Sequence, residues 1–143
     1  MRSLIMLLLL LTAAARAGDC RHAVCGPPAV SVAVDLLNDE AEHLGPCRQD
    51  LVAILASELD CAGIPVAGYT SCRELILRVS VIKKPFCLGD FFDIDVELRA
   101  FEGENPIWRV GFEATKLSGE VTPTVSHAAQ HLVRSFLRDQ RLR

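Results

Sequence analysis

Apolar and polar positions alternate along this chain with two different periods, and each period marks an element. In residues 91–101 (FFDIDVELRAF), Phe92, Ile94, Val96, Leu98 and Ala100 fall on one side, and Asp93, Asp95, Glu97 and Arg99 fall on the other. A period of two is that of a half-buried strand. Gly103, Asn105 and Pro106 supply a turn, after which residues 107–115 return with Trp108, Val110, Phe112 and Ala114 inward. An antiparallel hairpin is expected. Residues 74–84 repeat the pattern, with Leu75, Leu77, Val79 and Val81 on one face and Ile76, Arg78, Ser80 and Ile82 on the other. Residues 29–34 (AVSVAV) are apolar and β-branched, which predicts a short buried strand.

Elsewhere the period lengthens. From Cys47 onward, Leu51, Leu55 and Leu59 recur at helical spacing with Val52 and Ile54 beside them, while Arg48, Asp50, Glu58 and Asp60 mark the polar side. Gly63 and Pro65 stop this helix. Thr122 suits a helix cap and Pro123 the first helical position. Val125, Ala128, Ala129, Leu132, Val133, Phe136 and Leu137 then form an apolar stripe, and Arg134, Arg138, Arg141 and Arg143 suit a helix C-terminus. Residues 35–46 and 116–120 read as polar loops, the first with room for one helical turn. The order β-α-β-β-β-α predicts an α+β two-layer sandwich: a mainly antiparallel four-stranded sheet with two amphipathic helices on one face. The other sheet face is polar enough to meet water or a partner.

This order resembles that of the lipopolysaccharide-assembly lipoprotein family, small envelope proteins of bacteria with a leader and one α+β domain. The local pieces that carry the likeness are the tryptophan-bearing hairpin strand (PIWRVGFEA) and the final helix (SHAAQHLVRSFL). The resemblance implies an envelope location and an accessory role.

The first residues change the picture. Arg2 precedes an apolar run over residues 4–11, and Ala15 and Ala17 stand at −3 and −1 of a cleavage site before Gly18. This reads as a signal peptide, residues 1–17, since the run is too short for a bilayer core of about 30 Å. The exported domain, residues 18–143, has 143 − 17 = 126 residues, enough for one core. Its charge is 13 − 18 = −5, which suits neither nucleic acid nor an anionic membrane. Ala17, Gly18 and Asp19 before Cys20 do not match a lipidation signal, so no lipid anchor and no membrane span are expected.

All six cysteines follow the leader, so in an oxidising compartment a disulfide-stapled domain is expected. Six cysteines permit fifteen pairings, among which sequence alone does not choose; if the first helix crosses between parallel strands, Cys47 and Cys87 fall at one end of the domain and Cys61 and Cys72 at the other. That leaves Cys20 with Cys25. Cys47 with Cys61 is excluded, because a helix of that length separates them by about 21 Å.

Complete catalytic motifs are missing. His127 and His131 have the spacing of two metal ligands on a helix, with Glu120 or His43 as candidate third ligands, but Ala128 stands where a zinc protease needs glutamate. Asp90, Asp93, Asp95 and Glu97 form an acidic patch balanced by Arg78, Arg99 and Arg109 on neighbouring outward positions. The expectation is a non-enzymatic periplasmic or secreted accessory domain, without cofactor or metal. It would bind a protein partner in envelope transport, assembly or secretion through Asp93, Asp95, Glu97, Arg99 and Arg109. Two alternatives remain open: a small secreted metal-dependent hydrolase using His127 and His131, and a free-standing secreted disulfide-stabilised binder or inhibitor.

Overall fold

The computed structural model describes residues 29–67, 72–85 and 89–141. The expected leader lies outside them, as do Cys20, Cys25 and Cys87. The chain runs β1 (Val30–Leu36), α1 (Asp39–Leu44), α2 (Arg48–Cys61), β2 (Arg73–Lys83), β3 (Phe91–Glu102), β4 (Asn105–Leu117) and α3 (Val121–Arg141). It is an α+β fold whose sheet follows chain order, β1-β2-β3-β4. β1 lies parallel to β2, and the β2–β3 and β3–β4 pairs are antiparallel, so the sheet is mixed. A parallel neighbour needs a crossover, and α1 and α2 provide it.

The alternation read from the sequence decides which face is covered. Leu75, Leu77, Val79 and Val81 of β2 and Ile94, Val96, Leu98 and Ala100 of β3 are buried beneath the helices. Leu51, Leu55 and Leu59 of α2 and Val125, Ala129, Leu132 and Val133 of α3 close the layer from above. β4 is the edge strand, so Trp108, Val110 and Phe112, read as inward-facing, are half-buried. Trp108 is nonetheless anchored. Its ring meets Phe136 edge-on at 5.2 Å, and its indole N–H donates to Asp139 Oδ2 at 2.8 Å.

The structure departs from expectation in four places. β1 continues through Asp35 and Leu36, and a third helix, α1, longer than the single turn allowed for, takes half of the stretch read as a loop. Asn38 starts α1 by accepting the Ala41 N–H at 3.0 Å, and Asp39, Glu40 and Glu42 crowd its first turn. Thr122 does not cap α3. A tight turn at Ser118–Glu120 runs straight into the helix, with Glu120 Oε2 accepting the Leu117 N–H at 3.3 Å. The Thr122 hydroxyl instead donates to the Leu44 carbonyl at 2.7 Å, which satisfies an end group of α1. Cys47 and Cys61 are free and exposed. The expected Cys47–Cys87 and Cys61–Cys72 bridges are therefore not formed, and the Cys20–Cys25 pair lies outside the described residues. The reason at Cys61 is helical geometry. Two residues beyond the buried Leu59, it points to the other side of α2.

α2 and α3 are also joined at their surface. Arg134 Nη2 and Gln130 Nε2 each donate to Glu58 Oε1 at 2.9 Å. Hydrogen bonds from Arg134, then Gln130, hold the Glu58 carboxyl below its ordinary 4.5, against the opposing push of partial burial. A carboxylate with a lowered folded pKa stabilises the fold above its unfolded value and loses that contribution as pH falls through the lowered one. Glu58→Gln should therefore be less stable than the parent at pH 7. The gap should close below about pH 4, as urea midpoints taken across pH would show. A gap that persists in acid would refute the charge-based account.

Candidate protein-binding face of the sheet

The described helices pack on one side of the sheet, so among the described residues the second face is left uncovered. Its positions follow from strand register. Asp35 lies beside Arg78, Arg78 opposite Glu97 and Glu97 opposite Gly111 in one row. Ala33, Ile76, Arg99 and Arg109 form the next, and Ser80, Asp95 and Glu113 the row on the other side. Strand alternation thus brings all five expected binding residues, Asp93, Asp95, Glu97, Arg99 and Arg109, onto one surface.

Glu97 is the hub of that surface. Its Oε1 accepts from Arg99 Nε on the same strand, and its Oε2 lies 3.8 Å from Arg109 Nε on β4. Its side chain is only 24% exposed, against 67% for Arg109. The carboxylate is therefore a fixed centre and Arg109 the more adaptable arm. Asp93 is held differently: Lys84 Nζ lies 3.4 Å away and the Thr115 hydroxyl donates to it at 2.7 Å. Lys83 and Asp90 pair at 3.2 Å near the same end. Asp95 is exposed and Ile82 stands 59% exposed beside this acidic end. The face therefore carries partly paired charges of both signs around small apolar patches. Exposed pairs of this kind contribute little to stability, so their arrangement suits recognition better than folding.

Sequence reasoning left Asp35 and Glu113 out of the face. Glu113 was accessible from the alternation that places Phe112 and Ala114 inward. Asp35 was hidden because the first strand was expected to end before it.

The sequence matches no protein-family model and no curated protein. Solved structures do share the fold. PelC from Paraburkholderia phytofirmans, described as a dodecamer, superposes with a TM-score of 0.52 at 11% identity, over 76% of this chain and 85% of that one. The hypothetical protein CT253 from Chlamydia trachomatis gives 0.49 at 10% identity, over 78% and 95%. The rare lipoprotein B from Shewanella oneidensis gives 0.45 at 11%, over 78% and 93%. At these identities the likeness is one of fold.

The histidines are placed apart from this face. His127 and His131 are exposed on α3, His43 Nδ1 lies 2.7 Å from the Asp39 carbonyl, and Glu120 is taken up by the turn before α3. Among the described residues no group of three or more His, Cys, Asp and Glu side chains is gathered closely enough to hold a metal ion. Two clefts lie elsewhere again. One, of about 460 Å³, is lined by Glu58, Cys61, Leu137, Arg138 and Arg141 between α2 and α3. The other, of about 440 Å³, sits at the sheet end among Val30, Arg73, Glu102, Ile107 and Phe136. Among the described residues, no helix is long and apolar enough to cross a membrane.

Proposed function

We infer that this chain is a cell-envelope accessory domain, without catalytic activity of its own, that holds a protein partner on the open face of its sheet. The observation that carries this reading is the face itself: three helices cover one side of the sheet, and the other presents Glu97 with its two arginines amid Asp93, Asp95 and Arg78. The export signal expected over residues 1–17 supports an envelope setting. Wild-type full-length protein, tagged at its C-terminus and captured from the gently solubilised envelope of its native host, should bring down one stoichiometric partner. The double variant Asp95→Lys, Arg99→Glu should lose that partner by about tenfold or more, because reversed rim charges oppose encounter and unpair the complex. Asp95→Lys alone, at an exposed position, should also weaken capture while its melting temperature stays within about 3 °C of the parent; the double variant should melt a few degrees lower, since Arg99→Glu sets a like charge beside the half-buried Glu97. Undiminished capture by the variant would remove the face from consideration.

A further inference from the structure

The two edges of the sheet are not equivalent. β1 is seven residues long, and its outer side is already engaged at Val30. There the N–H donates to the Pro65 carbonyl at 3.0 Å and the carbonyl accepts from Ala67 at 2.9 Å. β4 runs 13 residues and, among the described residues, has a strand partner only in β3. A long edge presents a row of backbone donors and acceptors that another strand can use. Features that blunt an edge sit at its ends: Pro106 and the irregular register beside Ile107 at one, Lys116 at the other. Residues 108–115 between them have neither proline nor irregularity.

At the middle of that stretch stands Gly111. A glycine weakens a strand interior and often marks a place where another backbone approaches closely. Nothing within the fold asks for it. Its backbone is not in the left-handed region, and a Cβ there would meet only the Val96 carbonyl oxygen at an ordinary 3.8 Å.

We propose that the occupant of this edge is a second copy of the chain. Its β4 pairs antiparallel with this one about a two-fold axis at Gly111, so that two four-stranded sheets become one continuous sheet. The charges choose the register. A two-fold axis perpendicular to the sheet keeps the open face on one side, so only residues of the same face can oppose each other. With the axis at Gly111, Arg109 lies opposite Glu113 of the second copy, and Glu113 opposite its Arg109. On the helix side, Val110 then meets Phe112, and Trp108 meets Ala114. An axis moved to Val110 sets Arg109 against glycine, and one at Phe112 does the same to Glu113. An axis at Arg109 or at Glu113 stacks like charges, which is unfavourable. Only the Gly111 register satisfies both charged residues, and symmetry makes it do so twice. It also covers Val110 and Phe112, which the single chain leaves half-buried.

The test is sedimentation of protein purified after expression of the full-length chain. Wild type should show a reversible monomer–dimer equilibrium below about 100 µM. Arg109→Glu and Glu113→Arg should each weaken it by about tenfold or more, since each turns two attractive pairs repulsive. The double variant Arg109→Glu, Glu113→Arg restores opposite charges and should recover most of the affinity. Gly111→Cys supplies an independent reading: mild oxidation should join two chains through the introduced thiols, identified by peptide mapping. Gly119→Cys should give no such link. A protein that stays monomeric, a dimer indifferent to the single reversals, or a double variant as weak as the singles would each overturn the proposal.

Discussion

Leu98→Ala is expected to cost about 3 kcal/mol of unfolding free energy, a large fraction of the roughly 5–15 kcal/mol that holds a domain of this size together. Leu98 is 0% exposed and central. In register it faces Leu77 on β2 and Val110 on β4, beneath the helical layer. Truncation removes the transfer free energy of the lost methyl groups and leaves a void that three strands cannot close, because their register is fixed by backbone hydrogen bonds. Urea denaturation should show a lower midpoint with an unchanged slope, since the surface exposed on unfolding is nearly the same. A loss below about 1 kcal/mol would mean that this layer can collapse around the gap and that the site is not the packed centre described.

The second large effect is expected at the sheet edge. Trp108→Ala should cost about 2–3 kcal/mol, less than a fully buried indole because the ring is half-exposed. Two attachments are lost together: the edge-on contact with Phe136 at 5.2 Å and the 2.8 Å hydrogen bond to Asp139. Both partners lie on α3, so the indole ties the last helix to the last strand. Trp108→Phe should fall between the two, keeping an aromatic contact while leaving the Asp139 carboxylate without its donor. Thermal melts followed by circular dichroism should rank wild type above Trp108→Phe and that above Trp108→Ala. An alanine variant as stable as wild type would show that α3 is held without this contact.

The sheet was legible because its two faces differ in chemistry, so Leu75, Leu77, Val79 and Val81 announced their direction by alternation alone. The five residues expected on the binding face came out together for the same reason. What was not legible depended on neighbours distant in sequence. α1 buries only Ala41 among its six residues, so it shows no apolar stripe, although Asn38 and the acids after it carried the signal of a helix start. Thr122 has the right chemistry for a cap, but its hydroxyl serves Leu44, 78 residues away. The cysteine pairs were argued from which end of the domain each would reach. The two pairs that needed Cys47 and Cys61 are absent, at Cys61 because its direction on α2 decided the outcome, and Cys20 with Cys25 lies outside the described residues. Likewise the face held arginines and carboxylates in plain view, but the choice of Arg109 for Glu97 and of Lys84 for Asp93 was set by diagonal placement across strands.

The anchoring of Trp108 has a practical side. It is the chain's single tryptophan, so intrinsic fluorescence comes with one dominant, identified origin. Its ring lies between Phe136 and the solvent at the free edge of the sheet, with a carboxylate on its N–H. Emission wavelength and quenching therefore report on the seating of the last helix on the edge strand and on any second chain that covers that edge. The molecule carries a gauge of that junction that no label needs to supply.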